Sequence, residues 1–302
     1  MTWRSIVVST PAVLRYRQGR LLVQQPPAEA AVPLEDIAVL LLESPEILLS
    51  SRLLQECVDA GVTVLTVGRD HHPNGALLPF LPHSRPLKLL HRQLNASQPQ
   101  RKRLWQRIVR QKVINQARGL ELLGKAGASR LTRLAATVKS GDPENVEAMA
   151  ARLYFRALYG PSFSRSQESL LNAALNYGYA VLRAAIARSL TLHGFLPVLG
   201  LHHRNEQNAF NLADDLIEPY RPVVDLFVSQ TGAVFFEDRL TPPLKAGLVS
   251  VLHHDVAMPS GEQSVLAAIE ASVMSLGRSL SQGKAEILDM PTLLPLCWRS
   301  AE

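Results

Sequence analysis

The feature that most restricts this chain is a change of pattern near residues 75–90. Before it, short apolar runs are separated by polar residues and turn signals. Beyond it, apolar residues recur at helical spacing through long stretches rich in Ala and Leu. Over 302 residues this predicts an α+β protein with two parts: a β-rich N-terminal domain over 1–82 and an all-helical domain over 83–302. Pro79, Pro82 and Pro86 accumulate at the junction, as expected of a boundary.

In the first part, strands are expected at 5–9, 13–17, 20–24, 37–42 and 62–67, with a turn at Gln18-Gly19. A short helix should start at Ser50 or Ser51 and stop at Gly61, and 68–75 reads as a loop. In the second part, the spacing predicts a helix over 98–118 and another to Tyr159, with Asp142 as its N-cap and Pro143 in its first position. Further helices are expected from Ser166 to His193, closed by Gly194; from Asn205, disturbed at Pro219 and Pro222; and from Glu262 to Gln282. The extreme C-terminus reads as a loosely held tail.

Charge is distributed unevenly along the chain. Residues 85–133 carry 13 basic and 1 acidic residue, whereas 1–84 and 134–302 are each net acidic. Among the basic residues lie Leu104, Trp105, Ile108, Val109, Val113 and Ile114 at helical spacing, which suggests an amphipathic helix with a basic face. Such a face attracts a polyanion without reading its sequence. A solubilising face is the plainer alternative. An anionic membrane fits less well, because Trp105 is the only aromatic residue of the stretch. Two cysteines, Cys57 and Cys297, exclude a disulfide framework or a Cys-rich metal site. No run is long and apolar enough to span a bilayer, and the first residues do not resemble a signal peptide, so a cytoplasmic protein is expected.

Two clusters carry polar chemistry. Glu147 is placed in the first turns of a helix among Val146, Ala148, Met149, Ala150 and Ala151; the helix dipole alone would favour it there. The second cluster reads Gly200-Leu201-His202-His203-Arg204-Asn205, then Asn208, Asn211, Asp214-Asp215 and Glu218. Asp215 and Glu218 are three apart, and Asp214 and Glu218 four apart, so either pair could share a helical face. A histidine with two carboxylates suits Mg²⁺ or Mn²⁺, which polarise a phosphodiester; a loop histidine beside a solvated acidic face is the alternative. Phosphate-binding and dinucleotide-binding glycine loops, a His-Glu-x-x-His helix and a Gly-x-Ser-x-Gly elbow do not occur. The pairs His71-His72 and His253-His254 read as loop residues with structural roles.

Two segments resemble the signatures of the CRISPR-associated spacer-acquisition endonuclease/integrase family. One is Gly141–Phe155, with Asn145-Val146-Glu147 at its centre. The other is Leu199–Pro222, with Gly200-Leu201-His202-His203 and Asp215-Leu216-Ile217-Glu218, continuing to Asp225. The resemblance runs from the β region to about residue 285 and is greatest to the type II form. It implies a β-rich dimerisation domain and a helical catalytic domain. It implies Glu147, His203 and Glu218 as catalytic residues and as ligands of Mg²⁺ or Mn²⁺, with Asp215 supporting them or facing DNA. Tyr154 and Arg221 are weaker candidates nearby.

The reaction implied is insertion of short foreign-DNA duplexes into a CRISPR array, by 3′-hydroxyl attack on a phosphodiester. The implied partners are double-stranded DNA (prespacer and CRISPR repeat), a second copy of the chain in a homodimer, a small companion Cas protein dimer completing a heterohexamer, and the type II effector nuclease. The basic stretch would grip the DNA backbone, with Arg101, Lys102, Arg103, Arg107 and Arg110 foremost. The alternatives are a structure-selective phosphodiesterase on branched DNA and a non-catalytic DNA-binding scaffold.

Overall fold

The computed structural model describes residues 4–68, 73–78, 86–232 and 239–298. The pair His71-His72, and Pro79, Pro82 and Arg85 at the expected boundary, lie outside the described residues.

Two four-stranded sheets build the N-terminal part. One has the order β4 (Ala28–Pro33), β3 (Arg20–Gln25), β2 (Ala12–Arg17), β6 (Ile47–Leu49). β2 and β3 form the expected hairpin, with Gln18 and Gly19 at φ 48° and 77°, the left-handed pair that a two-residue turn needs. The other sheet has the order β1 (Arg4–Val8), β5 (Ile37–Leu42), β7 (Thr63–Val67), β8 (Pro73–Leu77). β1, β5 and β7 run parallel and β8 returns antiparallel. β8 corrects the end of the loop expected over 68–75: Pro73 and Gly75 mask a strand that, among the described residues, pairs on its β7 side alone. Between β6 and β7, α1 (Ser51–Asp59) is capped by Ser50, whose hydroxyl accepts from the Leu53 N–H at 3.3 Å.

β5 explains its own unbroken apolar run. Ile37 and Leu40 join the N-terminal core with Leu14, Leu21 and Leu53, while Ala38, Val39 and Leu41 join the core of the helical part. A central parallel strand covered on both faces has no polar side to show.

The helical part comprises α2 (Pro86–Leu94), α3 (Gln98–Leu122), α4 (Ala128–Thr137), α5 (Val146–Tyr159), α6 (Leu170–Leu192), α7 (Asn211–Leu216), α8 (Arg221–Thr231), α9 (Pro242–Ser250) and α10 (Val265–Gln282). α3 is its axis: Leu104, Trp105, Ile108, Val109, Val113 and Leu120 are buried as it packs on α4, α5 and α8. α6 and α9 cover the far face of the parallel sheet. Polar links between the parts include a buried Glu43–Lys245 ion pair, an Arg188 Nε–H donated to the Gly61 carbonyl, and a 2.8 Å Ser5–His253 side-chain hydrogen bond. No described helix is long and apolar enough to cross a membrane.

Several boundaries differ from expectation. The helix placed at Ser166 starts at Leu170, capped by Ser169, and the one placed at Glu262 starts at Val265, capped by Ser264. In both cases the serine nearest the apolar run wins the cap. The helical part also holds a sheet of order β10 (Gly261–Ser264), β9 (His254–Met258), β11 (Thr292–Trp298). The extreme C-terminus, expected as a loose tail, lies outside the described residues, and after α10 the chain is a paired strand through Trp298. The buried Asn115 holds its start: Nδ2 donates to the Pro291 carbonyl at 2.9 Å and Oδ1 accepts from the Leu293 N–H at 3.2 Å. His254 is a buried strand residue of β9, not a loop residue.

Candidate active site

The turn before α5 presents Glu147. Gly141, Asp142 and Asn145 all adopt positive φ (79°, 49° and 53°), so the chain doubles back before the helix starts. This corrects the expected cap. Asn145 is the N-cap, its Oδ1 accepting from Ala148 N–H at 3.4 Å, and Pro143 lies outside the helix. Asp142 still serves the helix end from further back, accepting from the N–H groups of Val146 (2.9 Å) and Glu147 (3.0 Å). Two side chains thus satisfy three orphan donors, and the Glu147 carboxylate needs no part in capping.

The second segment is wound around one carboxylate. Asp215, fully buried, accepts the backbone N–H groups of Leu201 (2.5 Å), His202 (3.1 Å) and His203 (3.1 Å), and its Oδ1 lies 2.8 Å from His203 Nδ1. Only a glycine fits at 200: a Cβ would stand 2.3 Å from the His203 carbonyl oxygen and 3.0 Å from Asp215 Oδ2. A carboxylate only accepts, so the Nδ1 of His203 carries the proton and donates it; in the neutral ring Nε2 then holds the lone pair. The same hydrogen bond raises the His203 pKa. Asp215 is thus a support for the histidine, not a DNA-facing group.

No helix begins at Asn205. Asn211 Nδ2 donates to the carbonyls of Val198, Asn205 and Asn208 at 2.9–3.2 Å, closing a non-helical loop before α7. Asp214 pairs with Arg183 at 2.9 Å and accepts from Asn208 at 2.6 Å. The two histidines separate cleanly. His202 stacks on Trp105 with ring centroids 4.2 Å apart and planes 2° from parallel. His203 meets the same indole edge-on at 5.6 Å, and Glu218 raises its pKa through space.

Glu218 lies in the turn between α7 and α8. Arg221 Nε donates to its Oε1 at 3.0 Å, and the Lys112 ammonium pairs with its Oε2. The same ammonium pairs with Glu147 Oε1. Despite its burial, the two cations hold the Glu218 carboxyl down at about 2, and the two carboxylates hold the Lys112 pKa above its ordinary value. Among the described residues, no three His, Cys, Asp or Glu side chains stand together as a ready ion cage. Instead two carboxylates from separate elements converge on one cationic atom, with an oriented imidazole in the same electrostatic field. Two carboxylates and an imidazole nitrogen are a donor set that Mg²⁺ or Mn²⁺ accepts, so the residues present fit such an ion.

Lys112 belongs by sequence to the basic stretch expected to grip DNA, yet its side chain is 8% exposed. The signal was present: Lys112 stands four residues after Ile108 and three after Val109, on the buried seam of α3. Trp105 read as core alone, and nothing in its spacing announced that it also braces both histidines.

Tyr154 and Tyr179 are buried near the carboxyl of Asp225, which accepts the Tyr179 hydroxyl, with the half-buried Tyr159 beside them. Arg221 stacks on Tyr179 at 4.6 Å and so connects this aromatic group to Glu218. The basic stretch is not one uniform face. Arg101 donates to the carbonyls of Gln93, Leu94 and Ala96, Arg107 to Leu288, and Arg110 to Ala135 and Ala136. Lys102 and Arg103 are exposed, and Arg103, Arg107 and Arg110 line an open groove of about 600 Å³.

Residues 6–232 match the family described as CRISPR associated protein Cas1. The chain is 46% identical over 300 residues to the CRISPR-associated endonuclease Cas1 of Neisseria meningitidis serogroup C (strain 8013), covering 98% of each chain. Its fold is similar to that of a casposase bound to integration product (TM-score 0.77, 19% identity, 94% of this chain and 92% of that one). It is also similar to a chain of a Cas6-RT-Cas1–Cas2 complex (TM-score 0.73, 18% identity, 97% of this chain and 36% of that one).

Proposed function

The chain belongs to the CRISPR-associated Cas1 family, and from that premise we propose that it is a metal-dependent DNA endonuclease/integrase that joins short duplexes to a CRISPR array. The observation that carries this reading is the convergence of Glu147 and Glu218 on a single cation beside His203. Glu147, His203 and Glu218 would hold Mg²⁺ or Mn²⁺. When bound, the ion supplies charge stabilisation to the phosphodiester oxygens on which negative charge grows.

The chain's own residues prepare that role. Asp142 and Asn145 fix the first turn of α5, so the Glu147 carboxylate projects from a rigid helix end. Asp215 fixes the His203 ring and leaves Nε2 as the donor atom. Arg221 keeps Glu218 ionised while it is buried. A DNA 3′-hydroxyl entering this site attacks phosphorus, and one phosphodiester bond forms as another breaks. With water as the nucleophile the same site cuts DNA instead, so hydrolysis of branched DNA is a second outcome of one chemistry.

The likeness to a casposase bound to integration product supports joining, and the likeness to a Cas1–Cas2-containing complex supports a small companion Cas protein. In this reading two copies pair through the β-rich part, two such homodimers flank a companion dimer as a heterohexamer, and the complex works in the cytoplasm. Identity to the Neisseria relative supports the type II form, in which the effector nuclease would help select the DNA. The exposed Lys102 and Arg103 would contact the phosphate backbone.

The test incubates the protein and its companion with a short duplex and a supercoiled plasmid carrying a repeat, in Mg²⁺, Mn²⁺ or EDTA. Joined products should require the ion and fall to background in Glu147→Gln, His203→Ala and Glu218→Gln. Duplex binding without joining or cleavage in any metal would favour the non-catalytic scaffold. Hydrolysis products alone would favour the phosphodiesterase.

A further inference from the structure

Lys112 stands where an ion would be expected. Its ammonium touches Glu147 Oε1 and Glu218 Oε2, one oxygen from each carboxylate, while Arg221 takes the remaining oxygen of Glu218. The formal charges of Lys112, Arg221, Glu147 and Glu218 cancel. The cluster is therefore complete without a metal, and it is shielded: the side chains of Lys112 and Glu218 are each 8% exposed.

A divalent ion entering between the same carboxylates would add two charges to a balanced site. At a few ångströms from the ammonium, in surroundings that screen poorly, the two cations repel strongly. Arg221 is the less mobile of the two resident cations, since it is also stacked on Tyr179. Lys112 carries its charge on a flexible four-carbon stem, whose head can move while α3 stays in place. With the ammonium absent and no ion present, Glu147 would face Glu218 without a cation between them, and the buried Glu218 would keep only Arg221.

We propose that Lys112 and the divalent ion are alternative occupants of the Glu147–Glu218 pair: the ammonium holds the carboxylates together when no ion is bound, and withdraws when one enters. The proposal rests on the reading that Glu147, His203 and Glu218 hold an ion. It makes Lys112 a positioning residue that acts through the two carboxylates, and it makes the metal affinity of the native chain weaker than that of the bare ligand set.

The experiment measures Mn²⁺ binding to the full chain by electron paramagnetic resonance of free Mn²⁺, together with thermal unfolding with and without Mn²⁺. Wild type, Lys112→Met, Lys112→Gln and Glu218→Gln are compared. Both Lys112 variants should bind Mn²⁺ at least about tenfold more tightly, since one like charge has left the site. They should melt lower than wild type without metal, and gain more from saturating Mn²⁺. Glu218-dependent binding that is no tighter in either Lys112 variant would overturn the proposal and leave the ion site standing. Absence of Glu218-dependent binding in every protein would remove the ion site and the proposal together. Should both variants fail to fold, ¹⁵N-lysine spectra of the wild type decide. The ordered Lys112 ammonium signal should shift or vanish as Mg²⁺ saturates the protein, and a signal unmoved by Mg²⁺ would overturn the proposal.

Discussion

Two buried lysines in this molecule are paired with glutamates, and they are not alike. Lys245 on α9 meets Glu43 at the end of β5, one cation to one anion, with side chains 5% and 7% exposed. Lys112 on α3 meets two carboxylates, one of them shared with Arg221 and the other, Glu147, 29% exposed. The first pair is closed and balanced by two residues, and it joins the N-terminal sheet to the helical part. The second balances only across four residues, has an imidazole in its field, and opens to solvent at one carboxylate. Buried ion pairs are weak grounds for stability in general. The difference therefore lies in access from outside: Glu43 is nearly closed off, whereas Glu147 is open to solvent.

The largest effect should come from breaking the closed pair. Lys245→Met leaves Glu43 buried without its cation, and unfolding free energy should fall by about 3–5 kcal/mol. Denaturant melts should show the loss, and added Mn²⁺ should not restore it. Replacing both partners, Lys245→Met with Glu43→Leu, should recover much of the loss, because no uncompensated charge remains. The comparison breaks if Mn²⁺ stabilises Lys245→Met and Lys112→Met to the same extent.

A third buried acid sharpens the contrast. Asp225 accepts a tyrosine hydroxyl where Glu218 has two cations, and burial pushes its pKa up to about 6 while Glu218 is held at about 2. The signs are opposite. For Asp225 the native state binds the proton more tightly than the unfolded chain, so stability falls as pH rises from about 4 to about 6. For Glu218 the native state binds it less tightly, so stability is fully present above the ordinary carboxylate range and is lost as pH falls toward about 2. Asp225→Asn keeps an acceptor for Tyr179 and removes the titration. Relative to wild type it should gain roughly 2–3 kcal/mol between pH 4 and 7, read from melts at both pH values. A difference that does not change with pH would place the Asp225 pKa near its ordinary value.

Much of the frame was legible because local signals agreed with packing. Gln18-Gly19, the apolar run of β5, the Ser50 cap and the axial helix α3 each follow from spacing and turn chemistry alone. Short strands were lost where proline or glycine interrupts them, as in β8 and β11, and they are defined by their neighbours across the sheet. In the site, the motif residues that the family resemblance singled out were nameable, but their supports were not. Asp215 became a hub through three backbone N–H groups, which carry no sequence signal. Lys112 is joined to Glu147 and Glu218 across 35 and 106 positions, and a charge count treats every lysine as surface.

The same distinction between committed and available charge applies along α3, where effects are smallest. Arg101 is fastened to three carbonyls at the end of α2, at 2.9–3.3 Å, and so completes a helix terminus. Arg101→Ala should therefore cost about 1–2 kcal/mol of stability and leave the salt dependence of duplex binding nearly unchanged. Lys102 and Arg103, the next two residues, are exposed. Alanine at either should leave stability within about 0.5 kcal/mol, weaken binding to unrelated duplexes alike, and lower the slope of log affinity against log salt by about 1 for each phosphate contact removed. Fluorescence anisotropy with two unrelated duplexes across a salt series measures both terms. Arg101 and Arg103, two residues apart and of equal formal charge, should then separate, one into the melt and one into the salt slope, as the two buried lysines separate by their response to metal. A salt slope that fell equally for Arg101→Ala and Arg103→Ala would show that Arg101 leaves its carbonyls to meet DNA.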